Sequence, residues 1–326
     1  MEEVLSVRFN FDFIKNRKIY FIISAILISV SLLSTFVFGV NLDIQFKGGT
    51  ILTFLYDGEI NQSEFEKTAV DALGGLGVTS TIGEDFTSGR KNIQLSLISN
   101  AGLSSDKQIE LTNTITEKYS ANSIELLESS DVSPSSGKEF FLKCIVAVIL
   151  SFIVLVVYIA IRFKNIGGWL AGFCGILALV HDCIIVYGTF VICGMSIDAN
   201  FMAVILTILG YSINDTIVIY DRVRENEILY RKTKTRAEIV NLSINQSLTR
   251  SINTSLTTIM AMLVVTIVAA VYGVDSIFSF SFPMMIGMLC GAYSSICFIC
   301  PLWYLLSEKM DKIKKKNNRG KKRRHA

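Results

Sequence analysis

The chain has 326 residues, of which 51% are hydrophobic and 18% charged, with a formal net charge of +3. A soluble domain of this size carries about a quarter charged residues, so an ordinary globular protein is excluded. The apolar residues gather in runs of about 20, the length that crosses a bilayer, and the class is polytopic membrane protein.

Residues 1–18 hold Arg8, Lys15, Arg17 and Lys18, directly before an apolar run at 19–38. Basic flanks stay in the cytoplasm, so this run reads as an uncleaved first span leading outward from a cytoplasmic N-terminus.

A polar stretch at 41–137 follows, expected outside the cytoplasm. The segment 41–139 carries 15 Asp/Glu against 7 Lys/Arg, whereas the tail 308–326 carries 10 Lys/Arg against 2 acids. That asymmetry reports orientation rather than a nucleic-acid partner. Within the polar stretch, Thr50–Tyr56 reads as a strand and Asn61–Leu73 as an amphipathic helix. Gly77–Ile82 and Asn92–Ile98 read as strands, Ser105–Tyr119 as a second helix, and Ser123–Leu127 as a last strand. The β-α-β-β-α-β order is the ferredoxin-like α+β pattern, one four-stranded sheet with two helices. Gly48 and Gly49 precede the first strand and suit a tight turn, a candidate hinge between span and domain.

Ser133 to Gly137 is a linker back to the membrane. Spans are expected at 140–161, 168–193, 200–220, 251–272 and 277–306, the last either tilted or interrupted at Pro283 and Pro301. The loop 221–249 is rich in Arg and Lys and reads as cytoplasmic, as does the basic tail 307–326. Six spans with both termini inside satisfy the charge rule. One span, an outer domain and five further spans is the pattern of half a resistance-nodulation-division (RND) transporter. All seven cysteines lie in apolar runs and read as packing residues; no metal or disulfide pattern is present.

Asp215 is the central oddity. It lies in the apolar run that begins at Gly210, and at a span centre an Asp costs about 2.5–3.5 kcal/mol on insertion scales. Counted from Asp221 at about 1.5 Å per residue, it sits about 9 Å inside the membrane edge. There it must be neutral, paired or wet, which makes its proton affinity responsive to its surroundings. A structural polar contact with Ser212, Asn214 or a neighbouring helix is the competing reading. His181 and Asp182 form a second polar pair at mid-depth of the third span. Gly168/Gly172 and Gly287/Gly291 are small-xxx-small pairs expected to fix helix contacts, within the chain or with a second half.

Five segments carry a family resemblance: Asp43 to Thr50, Ser133 to Glu139, Ala160 to Phe163, His181-Asp182 and Gly210 to Asn226. Together they resemble the SecD/SecF family of Sec export proteins in the RND superfamily, and the wording of the fourth span resembles the SecF branch. The resemblance implies a multi-pass subunit of the cytoplasmic membrane that acts with SecD and the SecYEG channel on an unfolded, translocating polypeptide, with YajC a further partner. It implies the proton-motive force as energy source, or sodium in some relatives, with no cofactor and no enzyme activity. It also favours Arg250, at the start of the fifth span, as the counter-charge of Asp215 over an ordinary positive-inside residue; Asn214, beside the carboxylate in sequence, is expected to orient it by a hydrogen bond. Two helix arrangements would then give two proton affinities. The alternatives are a small-molecule or lipid exporter half, which an outer domain of this size argues against, and a non-motor assembly subunit.

Overall fold

The computed structural model describes residues 10–74, 77–84, 89–97 and 103–324. Arg8, the rest of 1–9, Ile98 and the last two residues of the basic tail lie outside them.

The chain enters through a segment clamped by two amides. Asn245 Oδ1 accepts from the Phe11 amide at 2.9 Å and its Nδ2 donates to the Phe11 carbonyl at 2.8 Å. Asn241, one turn away, accepts from the Ile14 amide at 3.1 Å and donates to Asp12 at 2.7 Å. The Lys15 backbone N–H, together with the Asn241 amide, holds the Asp12 carboxyl below the ordinary carboxylate range against the opposing effect of burial. Helix α1 then runs Arg17–Phe38.

A four-residue helix, α2 (Ile44–Lys47), follows; the sequence patterning does not announce it. Asp43 caps it, accepting from the Gln45 amide at 2.8 Å, and the Asp43 amide donates to the Ile197 carbonyl at 3.1 Å. Gly48 and Gly49 have φ of 84° and 151°. A Cβ on Gly49 would run into the Leu97 carbonyl, so both the conformation and the space at this joint call for glycine.

The outer domain has the expected order: β1 (Gly49–Tyr56), α3 (Gln62–Ala72), β2 (Val78–Glu84), β3 (Lys91–Leu97), α4 (Ser105–Lys118) and β4 (Glu125–Val132). The sheet order is β2-β3-β1-β4 with every pair antiparallel, the ferredoxin-like arrangement. The alternation of β1 and β3 points Leu52, Phe54, Ile93 and Leu95 inward, where Phe65 of α3 and Ile115 of α4 close the core. Asn61 caps α3 by accepting from the Ser63 and Glu64 amides. The last strand extends to Val132, further than Leu127, because its outer half pairs along β1 through Gly49↔Val132 without apolar alternation.

The chain returns through α5 (Pro134–Arg162), α6 (Gly168–Ile192), α7 (Ala199–Tyr230) and α8 (Arg236–Val271). The sixth span is compound: α9 (Asp275–Tyr293), a π-helical turn Ser294–Ile299, and α10 (Cys300–Arg324). Among the described residues, six helices are long and apolar enough to cross a membrane. Helices α6 and α7 are the most buried, and α1, α5 and α8 present most of their surface outward.

Two expectations are corrected. The segment 221–249 is mostly helix: α7 runs on to Tyr230 and α8 begins at Arg236, leaving a connection at 231–235. Charge marks the membrane edge, not the helix end, and Thr235 with Glu238 makes a full capping box that starts α8 early. In the sixth span the helix continues through Pro283. The irregularity is the π turn, whose carbonyls lie where Pro301 lacks an N–H to donate back.

Candidate functional site

Asp182 on α6 is fully buried. Its Oδ1 lies 2.9 Å from His181 Nδ1. Its Oδ2 accepts from Ser212 Oγ of α7 at 2.7 Å and from Ser294 Oγ of the π turn at 2.9 Å. Ser295 Oγ donates to the Ser212 carbonyl at 3.1 Å and lies 3.0 Å from Thr216 Oγ1. The π turn thus lends two consecutive serines to one polar knot joining three spans. His181 stacks on Phe298 at 5.4 Å, and its Nε2 has no hydrogen-bond partner among the described residues.

Asp215 lies on α7, one turn from Ser212, and is 4% exposed. The hydrogen bond it receives comes from α8, where Ser255 Oγ donates to Asp215 Oδ2 at 3.2 Å. Ser251, four residues earlier on the same face of α8, is buried with a hydroxyl that has no partner among the described residues. Arg250 is exposed, and no ion pair joins it to Asp215 among the described residues. Because α8 begins at Arg236, Arg250 is a mid-helix residue rather than the first of a span. Ser251 and Ser255 lie on the buried side of α8 that meets Asp215, whereas Arg250, next to Ser251, points about 100° away from that side.

Asn214 is exposed and makes no hydrogen bond to Asp215. Adjacent residues of a helix point about 100° apart, so its side chain leaves the carboxylate's face. The role of an orienting partner passes to Ser255. At the basic end of α7, Asp221 pairs with Arg162 at 3.0 Å and with Arg224 at 2.7 Å, while Arg222 turns to Glu225 at 2.6 Å.

The glycine pairs are spent inside the chain. A Cβ on Gly168 would strike the Ala160 carbonyl, and one on Gly172 would lie 3.3 Å from the Val156 carbonyl, so this pair seats α6 on α5. Gly287 and Gly291 face Ile208 and Ser212, seating α9 on α7. At the foot of the outer domain, Gly137 of α5 would place a Cβ 3.1 Å from the backbone of Gln45 and Phe46. The chain therefore leaves and re-enters the membrane region side by side, with Asp43, Gly48 and Gly49 at that joint.

Sequence reading missed Ser251, Ser255, Ser294, Ser295 and Thr216. The one available signal was the polar cluster from Ser251 to Thr258 at the start of the fifth span, which does not single out Ser251 and Ser255 from Asn253, Thr254, Thr257 and Thr258.

Known proteins repeat this architecture. The family description "Protein export membrane protein SecD/SecF, C-terminal" matches residues 111–309. The protein translocase subunit SecF of Sebaldella termitidis is 32% identical over 95% of this chain and 96% of its own length. The SecF subunit of Rickettsia rickettsii is 32% identical over 92% of both chains. Among solved structures, SecDF of Thermus thermophilus, a translocon-associated membrane protein, superposes with a TM-score of 0.78 at 29% identity. That match covers 93% of this chain but 39% of the SecDF chain. A SecDF structure in a super-membrane-facing form gives a TM-score of 0.66 at 28% identity, covering 94% of this chain and 40% of that one. The chain is a multi-pass membrane protein that belongs to the SecD/SecF family of protein export membrane proteins, as a SecF-type protein translocase subunit.

Proposed function

We propose that this subunit couples the transmembrane proton gradient to Sec export, with Asp215 as the group that takes and gives up the proton. The observation that carries this reading is the bonding of Asp215: a carboxylate among apolar helices that receives one neutral hydroxyl at 3.2 Å. An ionised carboxylate in that medium is costly without a cation or water. Its charge state is therefore tied to whether α8 brings water or the Arg250 guanidinium past Ser251 toward it. Each charge crossing 100 mV supplies about 2.3 kcal/mol, so a few protons suffice for a modest domain movement.

The fused SecDF chains, of which this chain spans about two-fifths, support a SecD-type partner for the other half of the unit. Within this reading the basic loops and both termini face the cytoplasm, the outer domain meets the emerging polypeptide, and SecYEG is the channel served. YajC joins as a further subunit.

The test is Asp215→Asn in inverted membrane vesicles holding the full translocase. The isosteric amide accepts the Ser255 hydrogen bond but carries no titratable proton. Gradient-driven export and proton uptake should fall to the level of vesicles lacking the subunit, while co-purification with SecD and SecYEG is retained. Wild-type export and proton uptake from this variant would sink the coupling role; loss of co-purification would move the residue to assembly.

A further inference from the structure

A cavity of about 380 Å³ opens at the basic end of the bundle, away from both carboxylates. Its walls are the turn between α5 and α6, the end of α7, the start of α8 and the first turns of α10. Three independent sets of hydrogen-bond donors converge on it.

The first is the N-terminus of α6, a 25-residue helix whose N-cap, Gly167, offers no side chain. The amides of Gly168 and Trp169 find no acceptor among the described residues, and the helix dipole puts partial positive charge there. The second is Trp303, 1% exposed and part of the wall, whose indole N–H has no acceptor among the described residues. A buried donor left unpaired is destabilising unless something bound accepts from it. The third is charge. Glu227 and Asp311 are both engaged by Arg236, at 3.2 and 2.7 Å. Lys164 and Arg231, also in the wall, have no acidic partner among the described residues. The acids are neutralised in part from within, and two cations face an open space.

The surroundings say what kind of anion fits. Trp169 at the mouth is 74% exposed, and Phe173, Leu177 and Val180 continue upward from it along one outward face of α6. Exposed Ile161 and Val157 of α5 lie beside that stripe in the packed pair α5–α6. An exposed Trp at the end of an apolar stripe is the belt residue of a membrane interface. Donors for a phosphate thus adjoin a surface made for acyl chains.

We propose that this cavity holds the phosphate headgroup of an anionic phospholipid, with its tails along the Trp169–Phe173–Leu177 face of α6. The bound phosphate links α6 to the α7–α8 connection and to α10, of which α7, α8 and α10 are already tied together here by Arg236 through Glu227, Ser307 and Asp311.

The chain's two tryptophans both line this cavity, so its intrinsic fluorescence reports on the site. The full chain is reconstituted in phosphatidylcholine vesicles, and tail-brominated phosphatidylglycerol or tail-brominated phosphatidylcholine is titrated in as quencher. Phosphatidylglycerol should quench at mole fractions at least about fivefold lower, the scale set by one basic residue beside an anionic lipid. The Lys164→Gln/Arg231→Gln variant should lose that preference while unfolding at the wild-type temperature, since both side chains are exposed. Trp303→Phe, read through Trp169, should weaken it. Equal quenching by the two lipids, or a preference unchanged in the double variant, would overturn the site. Relief of quenching by millimolar inorganic phosphate would assign the cavity to a soluble anion and overturn the lipid.

Discussion

Asp182 and Asp215 sit on neighbouring helices of the same bundle, both nearly inaccessible, and differ in almost everything else. Asp182 has three side-chain partners drawn from three segments. Among the described residues Asp215 has one hydrogen-bond partner, at the longer distance of 3.2 Å. A carboxylate saturated with donors has little to gain from a change of partner and acts as a fastening. One with a single weak donor is left responsive to whatever approaches. Burial alone does not separate the two; the donor count does.

The contrast can be broken most sharply at Asp182. Asp182→Ala strands the Ser212 hydroxyl and His181 Nδ1, while Ser294 keeps the Gly291 carbonyl at 3.2 Å as its acceptor, and a loss of about 3–5 kcal/mol is expected, as when one partner is removed from a buried polar network. Thermal unfolding in detergent measures it; a wild-type melting temperature would show that the knot fastens nothing. At the Asp215 site the expected effects are smaller. Ser255→Ala should cost about 1 kcal/mol, the net worth of one hydrogen bond, and Ser251→Ala should cost less because that hydroxyl makes none. If the two serine variants destabilise equally, the hydrogen bond to Asp215 is not what distinguishes them.

The smallest effect is expected from a third carboxylate, Asp12, outside the spans. Its folded-state pKa is depressed below the ordinary 3.8 by the Lys15 amide. It therefore contributes stability above that value and loses it as pH falls through the folded pKa, in the acid range below 3.8. Asp12→Asn should remove that small contribution at neutral pH, flatten the acid limb of the unfolding curve below pH 3.8 and leave stability below the folded pKa nearly unchanged. A flattening at pH 6 instead would mean that a different group titrates.

The two carboxylates were not equally legible from sequence. Asp215 stood out because one charge in an apolar run is expensive wherever the helix lies. The six spans and the β-α-β-β-α-β order were legible for a similar reason: hydropathy and alternation are local properties of the chain. The difference in bonding was hidden because it depends on serines from other helices. Ser294 and Ser295 look like any hydroxyls that could satisfy their own helix backbone, and only the π turn directs both toward α6 and α7. Adjacency misled at Asn214, which shares a peptide bond with Asp215 but not a face. The continuation of α7 past Tyr220 was obscured because Asp221, Arg222 and Arg224 marked the membrane edge, while the signal for the next helix, Thr235 with Glu238, lay further along.

The π turn at Ser294–Ile299 has a consequence of its own. A π turn is an α-helix carrying one surplus residue. If that surplus migrates along the sixth span, the segment it passes over rotates by about 100° and advances by about 1.5 Å, with no strand of backbone unravelled. Ser294 would leave Asp182, another side chain would take its azimuth, and α10 would keep its seat beneath. The sixth span is thus a screw with one loose thread: the knot around Asp182 can be untied by a phase slip rather than by pulling helices apart.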